Sequence, residues 1–337
     1  MKIFSQEDKD VYQKSWEKNG LSILQSWQWG EFKNRPLGVI RVGLGNFVAT
    51  IFIKQIPGAG WKFGYIPHGR PIEMFTEPMS KKLTEIMEKY SLSHILIDPY
   101  VLRNEVETAP NGFSFSNQPT IQIQYTIVTE LLDSNEEMMN RMRKKHRQYI
   151  RKSQRGGLVF DTDDSLAGVE RLATVLNNQH TTKNFLAYPP EYYTKLWSKF
   201  EGTGKVHVHI VKVGEEDVGA YLVIDGVDRT YQFFGGTTAK GRDLYGAYLL
   251  TWKSMLASRD RGFKLYDQWG VAPYDEDGKL DSSDEKYGIS VFKEGFTGEK
   301  FTYANQLVVV NNQSRYTIYS NLIKLHRSYI KFRKTIK

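Results

Sequence analysis

The stretch "RMRKKHRQYIRKSQRGG", residues 141–157, concentrates the chain's most reactive chemistry: Arg141, Arg143, Lys144, Lys145, Arg147, Arg151, Lys152 and Arg155, with no acid among them. The net charge of the whole chain is +8, so the remainder sums to about zero and the excess is local. Such a run makes phosphate contacts to RNA, a foot on an anionic bilayer, or a solvated helix face. Other chemistry is sparse. There is no cysteine, which excludes disulfides, thiolate zinc sites and a cysteine nucleophile. His207 and His209 in "KVHVHIV" alternate along one strand face, but no carboxylate follows at ligand spacing, and a surface pair is the plainer reading than a metal pair. No Walker loop, GxSxG elbow or HExxH helix is present.

The elements that would carry these residues read as two α+β units. At 337 residues, 40% hydrophobic and 13% aromatic, the chain can fill two cores. Its apolar runs fall far short of the roughly 18 residues of a membrane span. "MKIFSQEDKD" turns polar after four residues, so no signal peptide is expected. The first half predicts helices over 6–18 and in "LQSWQWGEFKN", strands at "GVIRVG", "FVATIFIKQI" and "WKFGYIP", a helix near 78–90, and strands "HILID" and "IQIQYTIV". "SNEE" at Ser134 is a capping box opening a single helix that Gly156–Gly157 should stop, with Met138, Met142, His146, Tyr149 and Ile150 as its inner stripe. The second half predicts strand "LVFDT", helix 164–180, a "YPPEYY" turn into a helix, strands "VHVHIVKV", "DVGAYLVIDG" and "RTYQFFGG", helix 243–260 and strand "FKLYDQWG". A hairpin, a helix and a short strand ending in Asp ("LIDPY", "LYDQWG") occur once in each half, a degenerate internal repeat. The last helix adds six bases and no acid; the two basic segments thus hold fourteen charges against a net +8.

In this order and spacing, "LQSWQWGEFK", "YIPHGRPI", "LIDPYV", "MRKKHRQYIRKSQRGGL", "FFGGTTAKGRDLYGAYLLTW", "LYDQWG" and "GISVFKEGFTGE" resemble the FemABX peptidyltransferases over nearly the whole chain. The resemblance implies two tandem GNAT-like domains with mixed sheets, without the long coiled-coil arm of some members. It sets domain 1 at 1–133 plus 305–337, closed by the C-terminal helix, and domain 2 at 134–304. It implies transfer of an amino acid from aminoacyl-tRNA to the stem-peptide amine of a peptidoglycan precursor, either UDP-MurNAc-pentapeptide or a lipid-linked form. Neither cofactor nor metal is implied, and the location is the cytoplasm, with peripheral contact at the inner membrane face left open. Lys33 matches a lysine that contacts the precursor diphosphate. The arginine that accompanies it in the family corresponds to Tyr188 here, and Lys183 or Arg70 would have to compensate. Tyr192 and Phe234 match the substrate cleft, Asp98 a cleft aspartate that would serve as base, and Asp267 a residue shaping the second cleft. Phe292 and Lys293 match the catalytic pair, the lysine stabilising the charge that develops as the amine attacks the ester. Arg147, Arg151, Lys152 and Arg155 would face tRNA or the membrane.

Two other readings stay open. A CoA-dependent N-acyltransferase would hold pyrophosphate on R/Q-x-x-G-x-G/A; here Arg242-Asp243-Leu244-Tyr245-Gly246-Ala247 is out of spacing and bulky where backbone must approach. A non-catalytic RNA-binding protein would explain the basic helices but not "VFKEGF". Transfer from charged tRNA to a protein N-terminus would share the chemistry with a different acceptor.

Overall fold

The computed structural model describes residues 2–44, 47–56, 59–69, 76–180 and 188–335. The chain divides into two compact units, residues 1–124 with 302–337 and residues 125–301.

In unit 1 the order is β1 (Lys2–Ile3), α1 (Lys9–Lys18), α2 (Trp27–Lys33), β2 (Val39–Leu44), β3 (Phe47–Gln55), β4 (Lys62–Gly69), α3 (Glu77–Tyr90), β5 (Leu92–Pro99) and β6 (Ser114–Phe115). Unit 2 runs β7 (Tyr125–Glu130), α4 (Asn135–Arg141), α5 (Lys144–Arg155), β8 (Val159–Thr162), α6 (Leu166–His180), α7 (Pro190–Phe200), β9 (Val206–Val213), β10 (Glu216–Asp225) and β11 (Thr230–Thr237). It continues with α8 (Ala239–Asp243), α9 (Gly246–Asp260), β12 (Leu265–Gly270), α10 (Tyr287–Glu294) and β13 (Glu299–Thr302). Then β14 (Leu307–Val310) and α11 (Gln313–Thr335) return to unit 1.

Each unit holds a seven-stranded sheet, in the orders β1-β2-β3-β4-β5-β14-β6 and β13-β7-β12-β11-β10-β9-β8. The repeat is visible in the pairing. β2-β3-β4-β5-β14 pair antiparallel, antiparallel, parallel, antiparallel, and β9-β10-β11-β12-β7 follow the same succession. In each unit the parallel step is crossed by a helix, α3 or α9. The core of unit 1 packs Ile51, Ile95, Ile97 and Leu307 against Leu83 and Ile86 of α3. The core of unit 2 sets Val211, Val223 and Tyr266 against Leu249, Leu250 and Met255 of α9.

Three expectations are corrected, and one helix had no expected counterpart. The boundary expected at 133/134 falls one strand late, because β7 pairs with β12 of the second sheet. The alternation in "IQIQYTIV" yields strand only from Tyr125, since the Asp98 carboxylate takes the amides of Ile121 and Gln122 that a ladder would need. The basic segment is two helices: Met142 is extended (ψ 153), and the Arg143 amide donates to Gly295 instead of continuing the helix. Ser134 caps only the first helix, its Oγ accepting the Glu137 amide. α10 carries Phe292 and Lys293 and had no counterpart in the sequence reading.

Candidate active site

On unit 1, Lys33 ends α2. Ser26 starts that helix by accepting the Trp29 amide. Arg41 of β2 anchors it: the guanidinium lies 3.8 Å from the Trp27 ring centroid and donates to Trp27 O and to Glu31 Oε1. A Cβ at Gly30 would sit 2.6 Å from that guanidinium, so "WQWGE" is read physically as a grip on Arg41. The Lys33 ammonium lies 4.6 and 5.3 Å from the Phe32 and Trp29 ring centroids.

Asp98 ends β5 and is 2% exposed. It accepts from Tyr65 Oη at 2.5 Å, from the amides of Ile121 and Gln122 at 2.8 and 2.7 Å, and from Gln306 Nε2 at 2.8 Å. Burial raises its pKa against these donors. A carboxylate with four donors, three of them on Oδ2, staples the 121–122 loop to the sheet, so the geometry favours positioning over base catalysis. Lys54, which the sequence reading passed over, lies 5.0 Å from the Tyr65 ring; burial and Arg35 lower its pKa. Arg70 and Lys183 lie outside the described residues.

Unit 2 brings together the other residues. β11 and β12 pair only at Thr230–Tyr266 and Tyr231–Asp267, although β11 runs on to Thr237 and β12 to Gly270. Where pairing stops, Trp269 adopts φ 62, a left-handed conformation costly for a bulky residue. The turn aims two successive carbonyls, Trp269 O and Gly270 O, at Lys293 Nζ, at 3.2 and 2.9 Å. Lys293 is 8% exposed, and burial pulls its pKa down to about 7, with the Asp267 carboxylate acting in the opposite direction. Asp267 is itself fully buried, which raises its pKa; Oδ1 accepts Thr126 Oγ1 and the Trp269 amide. Gln268 Nε2 donates to Lys293 O and to Thr129 Oγ1, fixing the end of α10.

Aromatic rings extend from this lysine. Trp269 packs on Phe233 with centroids 4.3 Å apart, and Phe233 on Phe234 at 6.0 Å. Phe234 meets Tyr192 and Tyr188 edge-on at 5.9 and 6.0 Å, and those two tyrosines stack at 3.9 Å. Phe292 packs beside Tyr248 and Phe296. Tyr188, Tyr192, Phe234, Asp267, Phe292 and Lys293 therefore share one unit, with Phe234 and the two tyrosines linked through Phe233 to Trp269 and Phe292 in a second ring cluster, while Lys33 and Asp98 stand on the other unit. The sequence reading missed Trp269, Phe233 and Gln268. The polar pair Asp267–Gln268 inside a buried strand was the available signal; the backbone twist at Trp269 left none.

The basic segment is only partly available to a ligand. Arg141 pairs with Glu130 and Arg143 with Glu294, and Arg147 turns back to cap α4 through Met142 O and Asn140 O. Arg151, Lys152 and Arg155 are exposed.

This geometry can be set beside known proteins. A family model described as an acetyltransferase (GNAT) domain matches residues 140–277. The crystal structure of FemX superposes with TM-score 0.79 over 95% of this chain and 100% of that one, at 16% identity. The chain has the fold of FemX. L-PGS from Bacillus licheniformis follows with TM-score 0.59 over 95% of each chain, at 13% identity. Aminoacyltransferase FemA of Staphylococcus epidermidis is 25% identical over 107 residues, 32% of this chain. That alignment spans about a quarter of FemA, 24% of its length. The fold comprises two GNAT-like domains with mixed sheets. Among the described residues no helix is long and apolar enough to cross a membrane.

Proposed function

We propose that this protein transfers an amino acid from aminoacyl-tRNA to the stem-peptide amine of a peptidoglycan precursor. The observation that carries the reading is Lys293, a buried ammonium cradled by two carbonyls at the point where β11 and β12 part, in a FemABX-like fold. An aminoacyl ester is already activated, so the protein need only align two substrates and stabilise a charge. The precursor amine attacks the ester carbonyl and a C–N bond forms. Lys293 donates to the oxyanion. The C–O bond to the tRNA ribose then breaks, and the proton shed by the amine leaves on the ribose oxygen. Phe292 and Asp267 hold Lys293 in place; Tyr188, Tyr192 and Phe234 form the wall for substrate; Lys33 takes the precursor diphosphate as a point charge. The acceptor is UDP-MurNAc-pentapeptide or its lipid-linked form, the latter placing the enzyme peripherally at the inner membrane face. Lys293→Met is expected to lower kcat about 100- to 1000-fold while precursor affinity stays within about twofold. Near-normal kcat in that variant removes Lys293 from the mechanism.

The match to an acetyltransferase model favours a second reading, acyl transfer from CoA. Against it, the turn before α9 presents Tyr245 at φ 58 where a pyrophosphate loop needs glycine. Saturable acetyl-CoA binding by calorimetry would favour CoA as donor.

A further inference from the structure

Lys144, Lys145, Arg151, Lys152 and Arg155 have no acidic partner among the described residues. With 3.6 residues per turn, α5 gathers all five on one exposed face, opposite buried His146, Ile150 and Ser153. At the border of this face Tyr149 stacks on Tyr245, centroids 4.3 Å apart and planes 12° apart. Both rings are half-buried. Lys145 and Lys152 lie 5.5 and 5.7 Å from the Tyr149 centroid, and Lys152 lies 5.5 Å from that of Tyr245. Tyr245 holds its ring there through a left-handed backbone (φ 58). The ring contacts continue from Tyr149 to Tyr248 at 4.9 Å and from Tyr248 to Phe292 at 5.0 Å, the neighbour of Lys293.

We propose that this surface is a landing platform for the end of a single-stranded polynucleotide. A base stacks against the Tyr149–Tyr245 pair, and the phosphodiester backbone follows the five cations. Stacking aromatics beside a cationic track bind single strands irrespective of sequence. A bilayer foot would instead present aliphatic or tryptophan side chains among its bases, and Ile150, the sole aliphatic residue of α5, is fully buried. The proposal deepens the aminoacyl-tRNA reading and rests on it for the strand's identity, the single-stranded 3′ end of the charged tRNA. The aromatic path to Phe292 then brings that end toward Lys293.

The test is fluorescence anisotropy of the full chain with a labelled single-stranded 12-nucleotide RNA at several salt concentrations, with vesicles containing phosphatidylglycerol in parallel. Tyr149→Ala should weaken RNA binding about 5- to 100-fold, and Tyr149→Phe, which keeps the ring, should restore it. Replacing both Lys145 and Lys152 by Gln should cut the slope of log affinity against log salt by about 1.4. Thermal melts of each variant separate lost binding from lost fold. RNA affinity unchanged in Tyr149→Ala, or binding to vesicles but not to RNA, overturns the platform. The transfer assay separates this from the enzymatic reading. Transfer with an unchanged KM for charged tRNA in Tyr149→Ala refutes the platform and leaves the activity standing. Tyr149-dependent RNA binding without transfer to any acceptor supports the platform and removes the activity.

Discussion

Lys293 sits where burial and a nearby carboxylate act on its proton in opposite senses, and burial prevails. Its folded pKa, about 7, lies below the roughly 10.4 of an unfolded lysine. Between those values the unfolded chain binds a proton that the folded one lacks, so this group makes stability rise with pH across that window. Lys293→Met should therefore lose the rise: urea unfolding from pH 7 to 10 should give a flatter profile than wild type, and parallel profiles would show that Lys293 titrates normally. Asp98 makes a contrasting case. As a staple, Asp98→Asn is tolerated because Gln306 can turn its amide, whose Oε1 has no partner, toward the new side chain. Transfer should stay within a few-fold, whereas loss of a base costs about 100- to 10000-fold. Asp98→Ala removes the acceptor of the buried Tyr65 hydroxyl and Gln306 amide and should cost about 3 kcal/mol in unfolding free energy. The sequence pointed to Lys293 and Asp98 alike by motif. It could not tell them apart, because what separates them is the number of donors around each group.

Elements were legible where a local rule governed them. Period-2 alternation located β2, β3, β9 and β10, and Ser134 marked the start of α4. What escaped was decided by distant partners: Gly295 O ends the helical path at Arg143, and Asp98 draws residues 121–122 out of their strand. The His207–His209 pair shows the same limit. His207 lies between Asp164 at 2.6 Å and Asp225 at 3.0 Å, and Asp225 also receives Arg261, so β9, β10, the entry to α6 and the end of α9 are tied at one point. His209, on the same face, is wholly buried and pushed down to about 3 by burial. For His207, burial lowers the pKa but the two carboxylates outweigh it, and the net shift is upward. Its contribution is then complete below the ordinary histidine pKa of about 6.5 and fades as pH rises through the raised folded value. His207→Leu should cost about 2 kcal/mol at pH 6 and less at pH 9, by urea unfolding at each pH; equal costs would place the stabilisation in packing rather than charge.

At the scale of the molecule, the repeat was visible before any coordinates because both halves repeat a hairpin, a helix and a strand ending in Asp. The sheets bear this out strand by strand, with Asp98 and Asp267 each on the strand that follows its crossover helix. The boundary was harder, since β7 precedes its unit's first helix in sequence yet pairs deep in the second sheet. Charge divides as unevenly as the fold repeats evenly. The bases collect in α5 of one unit and α11 of the other. The measurement that tests the account most directly is a mass-resolved transfer assay. The protein would be mixed with a full set of charged tRNAs and a muropeptide pentapeptide precursor, soluble and lipid-linked in parallel. One precursor is expected to gain the mass of an amino-acid residue, and RNase to abolish the gain. No mass gain on either precursor, with all tRNAs verified as charged, would contradict it.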